Sequence, residues 1–212
     1  MADNKKALYD AVVAYKVDGI KAAVDNAKKA GMPAGEIIDA MGEGMTEVGI
    51  LFERGKLFLP HVLSAAQGMK SAMEVLGPEL LASGDASTKR ASVATGTVEG
   101  DVHDIGKSIC STMLQCAGFD VHDLGRDVPN SAFLKEIKEN GCTMIGMSAL
   151  MTTTMTMQKA MIEILKEQKL REKVIVAVGG APVTQAYADK IGADLYSESA
   201  SEMTAKAKAI NK

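Results

Sequence analysis

The sequence predicts an α/β protein in which an N-terminal four-helix bundle precedes a five-stranded parallel sheet of the flavodoxin-like (Rossmann-like) type. Two observations predict it. Apolar residues recur at helical spacing over positions 1–85, and from Lys89 onward short apolar runs alternate five times with helical stretches. Right-handed crossovers between five parallel strands favour the flavodoxin-like strand order. We therefore predict two domains, a helical domain over residues 1–85 and an α/β domain over residues 89–212.

Four segments carry the helical pattern. The first two are DNKKALYDAVVAY at 3–15 and DGIKAAVDNAKKAG at 18–31, the second ending at a glycine suited to a helix C-terminus. Proline opens each of the other two, which run from Pro33 to about Phe52 and from Pro60 to about Leu76. Their apolar faces are Ile37, Met41, Met45, Val48 and Phe52, then Val62, Ala66, Met69 and Met73. Short joints between four such helices predict an antiparallel bundle.

The stretch ASGDAST at 82–88 is small, polar and without apolar periodicity, which predicts a linker. Beyond it, strands are predicted at ASVATGTV, VHDL, CTMIGMSAL, KVIVAVGG and ADLYSES. Helices are predicted between and after them, at 104–118, 131–140, 155–168, 182–192 and 201–210, the fourth opened by Pro182. A G-x-G-x-x-G motif does not follow the first strand, which argues against a dinucleotide-dependent dehydrogenase.

Composition excludes several classes of protein. A formal net charge of −3 with no basic block argues against nucleic-acid binding, and no apolar run has the length of a membrane span or of a signal peptide core. The three cysteines, Cys110, Cys116 and Cys142, have neither disulfide-framework nor metal-site spacing, so we expect them to be buried packing residues. Thiols outside disulfides are typical of a cytoplasmic protein.

Three polar stretches follow predicted strands and should meet at one edge of the sheet. They are GDVHDIG after the first strand, SALMTTT at the end of the third and GGAPVT at the end of the fourth. In open parallel sheets, ligands bind outside the carboxyl ends of the strands. The sequence therefore predicts a single binding site built from these three loops.

His103 is the candidate metal ligand in the first of these loops. Asp101 could accept the N–H of one ring nitrogen and so orient the other, while Asp104 could cap the following helix. A solvated Asp–His turn explains the same residues equally well. One histidine supplies too few ligands for a protein-built zinc site, so a metal here would have to bring a macrocycle with it.

The other two loops fit a large flat ligand with a tail, although each has an ordinary alternative. Gly179 and Gly180 allow close approach to the backbone, or simply form a tight turn. Leu150 offers an apolar surface. The hydroxyls of Ser148, Thr152, Thr153 and Thr154 could bind a ligand or cap the next helix.

These residues resemble the cobalamin-binding signature. The chain is similar in motif order and spacing to the cobalamin domain of methionine synthase and to the corrinoid proteins of methanol and methylamine methyltransferase systems. The matching motifs are D-x-H-x-x-G at Asp101, His103 and Gly106, S-x-L at Ser148 and Leu150, and the paired Gly179 and Gly180. The resemblance covers nearly the whole chain, because LFERGKLFLPHV at 51–62 is similar to the helical cap of the methyl-transferring members.

The resemblance implies a cobalamin or related corrinoid cofactor and assigns roles to residues. His103 would be the lower axial ligand of cobalt, Asp101 would accept from it, and Thr154 would complete this ligand relay. Phe52 and Leu59 would cover the upper, methyl-bearing face, joined by Val62. The implied cofactor-binding residues of the α/β domain are Gly100, Asp101, Val102, His103, Asp104, Ile105, Gly106, Ser148, Leu150, Thr152, Thr154, Gly179 and Gly180.

The same resemblance implies a corrinoid methyl carrier that does not catalyse alone. A substrate-specific methyltransferase would load methyl from a methylated amine, betaine or methanol onto Co(I), forming methylcobalamin in the Co(III) state. A second methyltransferase would pass the methyl to a thiol or tetrahydrofolate, and a reductive activase would rescue oxidised cobalt. Neither nucleic acid nor a membrane is an expected partner. The linker would be the hinge that moves the cap.

Other functions remain open. A cobalamin-dependent regulator or light sensor also pairs a helical bundle with this domain, but a basic DNA-recognition helix is not visible in the sequence. A separated cobalamin module of a methionine-synthase-like enzyme or of a mutase is a third possibility. A cofactor-free flavodoxin-like domain would require all three loops to match by coincidence.

Overall fold

A computed structural model of the 212-residue chain describes residues 2–83 and 91–210. Its contacts group residues 1–89 with 116–118 into one compact unit, and residues 90–115 with 119–212 into a second. The predicted domain boundary between residues 85 and 89, and most of the predicted linker and hinge, lie outside the described residues. The domain limits therefore stay a prediction.

The first unit is a bundle of four helices. They are α1 (Ala2–Val13), α2 (Val17–Lys29), α3 (Ala34–Glu53) and α4 (Leu59–Ser83). Helix α1 packs against α2 and α3, and α4 packs against the same two helices. At Gly44 of α3, an added Cβ would lie 2.9 Å from the Tyr9 carbonyl oxygen and from the Val12 side chain. Glycine therefore lets α1 and α3 approach closely, and the predicted bundle is confirmed.

The fourth helix differs from its prediction in length and in its buried face. It continues through Ser83 instead of ending near Leu76. The predicted apolar positions Ala66 and Met73 are only half-buried. The buried stripe consists instead of Val62, Ala65, Met69, Ala72 and Leu76. Both stripes have helical spacing, so periodicity alone could not choose between them.

The second unit alternates strands and helices. The order is β1 (Ser92–Thr97), α5 (Ile105–Cys116), β2 (Asp120–Asp123), α6 (Asn130–Glu139), β3 (Met144–Ser148), α7 (Met155–Glu167), β4 (Ile175–Gly179), α8 (Gln185–Ile191), β5 (Leu195–Tyr196) and α9 (Ala200–Ile210). All five strands pair in parallel, in the order β2-β1-β3-β4-β5. This is the predicted flavodoxin-like order, and the predicted α/β fold is confirmed.

The central strands are apolar because helices cover both faces of the sheet. Strand β1 is buried from Val93 through Thr97. Phe133 of α6 is completely buried and belongs to the core that includes Ile145 of β3 and Met161 of α7. Among the helices of the described residues, none combines the length and the hydropathy that crossing a membrane requires.

Pro182 does not open α8 as the sequence predicts. The Val183 N–H donates to the Gly180 carbonyl at 2.9 Å, which closes a turn around the proline. Thr184 then caps the helix, since its side chain accepts from the Tyr187 N–H at 3.2 Å. The helix begins at Gln185 because a threonine hydroxyl, unlike proline, satisfies a free N–H of the first turn.

Removing the Phe133 ring should destabilise the α/β unit. Phe133→Ala leaves a cavity in a close-packed core and should lower the free energy of unfolding by about 3–5 kcal/mol. Urea unfolding followed by circular dichroism measures the change. The matched control is Phe58→Ala, where the ring is 64% exposed; its effect should stay below about 0.5 kcal/mol. Equal losses for the two variants would contradict the assignment of Phe133 to the core.

Candidate functional site

The carboxyl ends of three strands lie side by side. Thr97 of β1 is in register with Ser148 of β3, and Ser148 is in register with Gly179 of β4. Hydrogen bonds continue this alignment past the strands, since the Val98 N–H donates to the Ser148 carbonyl and the Ala149 N–H to the Gly179 carbonyl, both at 3.0 Å. The three predicted loops therefore leave the sheet at one edge.

Asp101 lies at the centre of this edge with no exposed surface. Its Oδ1 accepts from the His103 backbone N–H at 3.1 Å and from the His103 ring. Its Oδ2 accepts from the backbone N–H of Leu150 at 2.7 Å and of Met151 at 3.3 Å, and from the Thr154 hydroxyl at 2.8 Å. One carboxylate thus joins the loop after β1 to the loop after β3.

These donors decide the charge of Asp101. Burial by itself would raise the pKa of the carboxyl, because it penalises the ionised form. The hydrogen bonds from His103, Leu150 and Thr154 outweigh burial and hold the pKa of Asp101 well below its ordinary value. Asp101 is therefore an anion at neutral pH, and it can only accept hydrogen bonds.

His103 is oriented by this anion. Its Nδ1 lies 2.8 Å from Asp101 Oδ1, so Nδ1 carries the ring proton when the imidazole is neutral. Nε2 then carries the lone pair, and it makes no hydrogen bond to any residue that the structure describes. The side chain is 46% exposed. This arrangement, with one nitrogen fixed by a carboxylate and the other open, is typical of a metal-ligating histidine.

Exposed apolar side chains lie close to His103 in the chain and on the loop whose N–H groups donate to Asp101. Val102 and Ile105 are 56% and 67% exposed in the loop of His103, and Leu150 and Met151 are exposed in the loop that donates to Asp101. A Cβ added to Gly106 would meet no protein atom within 4 Å. Exposed apolar groups on two adjacent loops mark a ligand-binding surface. The donor set and this surface fit a flat, largely apolar ligand that brings a metal atom, as a corrinoid does.

The remaining loop residues differ in exposure and in backbone contacts. Ser148 is half-buried at the end of β3, and Thr152 is exposed. At Gly180, φ is +122° and an added Cβ would lie only 1.9 Å from the Ala149 carbonyl oxygen. The close approach at Gly180 is therefore made by the chain's own backbone, whereas a Cβ at Gly179 would make only an ordinary contact with Ser197.

Asp104 directly precedes α5, and its backbone carbonyl accepts from the Ser108 N–H at 2.8 Å.

The three predicted cap residues lie in the helical unit and differ in exposure. Phe52 in the last turn of α3 and Leu59 at the start of α4 are half-buried. Val62 is only 1% exposed, because it begins the buried stripe of α4. The assignment of Val62 to the cap stays a prediction.

The structure shows backbone contacts around Asp101 that the sequence did not indicate. Asp127 adopts φ +54°, its carboxylate accepts from the Gly100 N–H at 2.7 Å, and its own N–H donates to the Asp101 carbonyl at 2.9 Å. The Thr97 hydroxyl donates to the same carbonyl at 2.6 Å. These contacts hold the backbone of Asp101 in place. Asp127 follows β2 and is remote from Asp101 in the chain, and no motif links the two.

An ion pair between a buried lysine and an exposed aspartate anchors the helix that follows His103. Lys107 Nζ lies 2.6 and 2.8 Å from the two carboxylate oxygens of Asp123, and the lysine side chain is 5% exposed. Asp123 Oδ1 also accepts from the Gly125 N–H at 2.9 Å. The first turn of α5 is thereby tied to the end of β2. A polar pair at this separation carries no periodic pattern that the sequence could reveal.

Comparison with known proteins matches both units to one class of ligand. Two family models described as B12 binding domain match residues 91–205 and 5–76. Dimethylamine corrinoid protein 1 of Methanosarcina acetivorans is 57% identical over 203 residues, which are 96% of this chain and 95% of that protein.

Two solved structures share the fold. The crystal structure of a cobalamin-binding protein from Desulfitobacterium hafniense DCB-2 is 32% identical with a TM-score of 0.82, covering 97% of each chain. The methanol:cobalamin methyltransferase complex MtaBC of Methanosarcina barkeri is 32% identical with a TM-score of 0.78, covering 98% of this chain and 79% of that chain.

Neutralising Asp101 should destabilise the α/β unit. Asp101→Asn places an NH₂ group opposite N–H donors that it cannot accept from. The free energy of unfolding, measured with urea at pH 7, should fall by about 3 kcal/mol. The pKa of Asp101 is lowered on folding, so the stability from its ionised form is present above the unfolded pKa of about 3.9 and is lost below it. The gap between wild type and variant should shrink as the pH falls below about 4.

Asp104→Asn is the matched control for Asp101→Asn, because it makes the same chemical change in the same loop. It should change stability by less than about 0.5 kcal/mol. A gap between wild type and Asp101→Asn that stays constant from pH 7 to pH 3 would contradict the ionised state of Asp101.

Proposed function

The chain belongs to the B12-binding corrinoid proteins that carry methyl groups in methyltransferase systems, and from this premise we propose that its methyl donor is dimethylamine. The donor is supported by the 57% identical relative, a dimethylamine corrinoid protein that matches over nearly its whole length. The chain works with a partner methyltransferase. The corrinoid supplies the chemistry, because its cobalt accepts and releases the methyl group.

The single structural observation that supports the corrinoid site is the geometry of His103. Asp101 holds the proton on Nδ1, and Nε2 keeps its lone pair with no hydrogen-bond partner among the described residues. We propose that His103 Nε2 would bind the cobalt of the corrinoid. The hydrogen bond to Asp101 fixes both the tautomer and the orientation of the imidazole. A neutral imidazole held in this way is a better ligand than a freely rotating one, because orienting it costs no further entropy.

The hydrogen bonds around Asp101 set where protons reside. Asp101 keeps the ring proton on Nδ1, so a second proton can enter the imidazole only at Nε2, and only while Nε2 does not bind the metal. The Thr154 hydroxyl has a single proton and two acceptors, Asp101 Oδ2 at 2.8 Å and the Met151 carbonyl at 2.9 Å. Moving that proton between them would change the charge density on Asp101, so Thr154 would tune how strongly Asp101 holds the imidazole proton.

The loop surfaces would hold the ring and exclude water. Val102, Ile105, Leu150 and Met151 present apolar surface beside His103, and Gly106 leaves room for a group to approach the backbone. Desolvation on one side of a metal macrocycle shields it from water and oxidants. The assignment of Gly100, Asp104, Ser148, Thr152, Gly179 and Gly180 to cofactor contacts, and of Phe52 and Leu59 to the cap, stays a prediction.

Two further partners complete the proposed cycle. A carrier that accepts a methyl group must also lose it, so we propose a second methyltransferase that passes it to a thiol or to tetrahydrofolate. A reductive activase would restore cobalt after accidental oxidation. We place the cycle in the cytoplasm, the compartment that keeps thiols such as those of Cys110, Cys116 and Cys142 reduced.

Replacing His103 should remove the axial ligand without unfolding the protein. Wild-type protein mixed with hydroxocobalamin and desalted should keep about one corrinoid per chain, with a spectrum of histidine ligation. His103→Ala should lose that spectrum, and after reduction to Co(II) it should lose the nitrogen hyperfine splitting in electron paramagnetic resonance. His61→Ala, a histidine of the helical unit, is the control and should retain both. Identical spectra for the two variants would refute axial ligation by His103.

The choice of donor is tested with partner methyltransferases. The reduced, corrinoid-loaded chain is mixed with a methyltransferase specific for dimethylamine, trimethylamine, methylamine or methanol, each with its own substrate. Visible spectra follow loading of the cobalt. Dimethylamine should load the chain at least tenfold faster than any other pair. Faster loading by another pair would overturn the donor while leaving the corrinoid assignment intact.

A further inference from the structure

A second group of metal-binding atoms lies near the amino edge of the sheet, away from the His103 site. His122 in β2, Glu136 on α6 and Cys142 just before β3 each present one such atom, and these atoms lie within 4.8 Å of one another. Cys142 is buried, whereas the His122 and Glu136 side chains keep 29% and 13% of their surface exposed. The group is therefore within reach of an ion from solvent.

The distances among these atoms are close to those of a tetrahedral zinc site. Ligand bonds of about 2.0–2.3 Å place neighbouring ligand atoms about 3.3–3.6 Å apart. The Glu136 Oε2 atom is 2.7 Å from His122 Nδ1 and 4.0 Å from Cys142 Sγ. Small shifts, within the range of side-chain rotation, would bring both pairs to that spacing.

Each of the three side chains also has a neighbour that orients it. Asn140 Nδ2 donates to Glu136 Oε2 at 2.8 Å, and Ser92 Oγ lies 3.2 Å from Cys142 Sγ. Asp120 Oδ2 lies 3.5 Å from His122 Nε2, the ring nitrogen on the far side from Glu136. A carboxylate behind the second nitrogen of a histidine is the usual outer arrangement at protein metal sites.

We propose that His122, Glu136 and Cys142 bind a Zn²⁺ ion, with water in the fourth position. A set of one nitrogen, one sulfur and one carboxylate oxygen suits zinc and not magnesium or calcium, which prefer oxygen alone. The ion would join the edge strand β2 to α6 and to Cys142, which lies just before β3. Its role would be structural, since the corrinoid residues lie at the opposite, carboxyl edge.

Without a metal, the same atoms form an ion pair. The His122–Glu136 contact at 2.7 Å raises the pKa of His122 through its hydrogen bond to Glu136. The Cys142 thiol donates to the same Glu136 oxygen at 4.0 Å, so without a metal all three side chains are joined through that carboxylate. The two states therefore differ in whether the Cys142 sulfur donates a proton to Glu136 or binds the ion.

Metal binding to the full-length, reduced and corrinoid-free chain tests the proposal. Zn²⁺ is titrated against a chromogenic chelator, and the wild type should bind one ion per chain. Cys142→Ser and His122→Gln should each weaken binding at least tenfold. Cys110→Ser, a second cysteine of the same unit, and His61→Ala should leave the affinity unchanged. Absence of stoichiometric zinc, or equal affinity in Cys142→Ser, would overturn the site.

A measurement on the wild type keeps the test valid if a variant fails to fold. X-ray absorption at the zinc edge should show one sulfur at about 2.3 Å among nitrogen and oxygen neighbours. A zinc shell without sulfur would also overturn the proposal. Because the readout is zinc in corrinoid-free protein, its outcome is independent of the corrinoid assignment.

Discussion

The buried carboxylate of Asp101 is the interaction on which the site depends. A buried anion without partners would cost several kcal/mol, and here five hydrogen bonds offset that cost. The donors come from two loops that are far apart in the chain. A displacement of either loop would leave the charge uncompensated, so one side chain fixes the tautomer of His103 and the relative position of the two loops.

The topology of the sheet makes this convergence possible. Strands β1 and β3 are neighbours although β2 lies between them in sequence, and the register of Thr97 with Ser148 brings their carboxyl ends level. From β1 the chain adds β2 on one side of the sheet and β3 on the other. Open parallel sheets bind ligands at such a switch point between two neighbouring strands. The loops that carry Asp101, His103 and Leu150 therefore leave the sheet at this edge.

Much of the fold and the central motif could be predicted from the sequence. Helical spacing over positions 1–85 and five strand–helix alternations determine local structure, and crossover handedness then leaves few strand orders. The pairing of Asp101 with His103 was also accessible, because close neighbours within one turn are restricted in where their side chains can point. Thr154 was inferred only through a family resemblance, since it lies on a different loop, far along the chain from Asp101.

The tertiary structure decided what depends on contacts across the chain. Periodicity allowed two faces for α4, and packing chose the one that buries Ala65 and Ala72. Backbone contact between Gly180 and Ala149, the support of Asp101 by Asp127, and the cluster around His122 all join segments that share no pattern. A sequence pattern reports the period and order of elements, whereas a site requires the distances between them. Those distances exist only after the sheet and helices have packed.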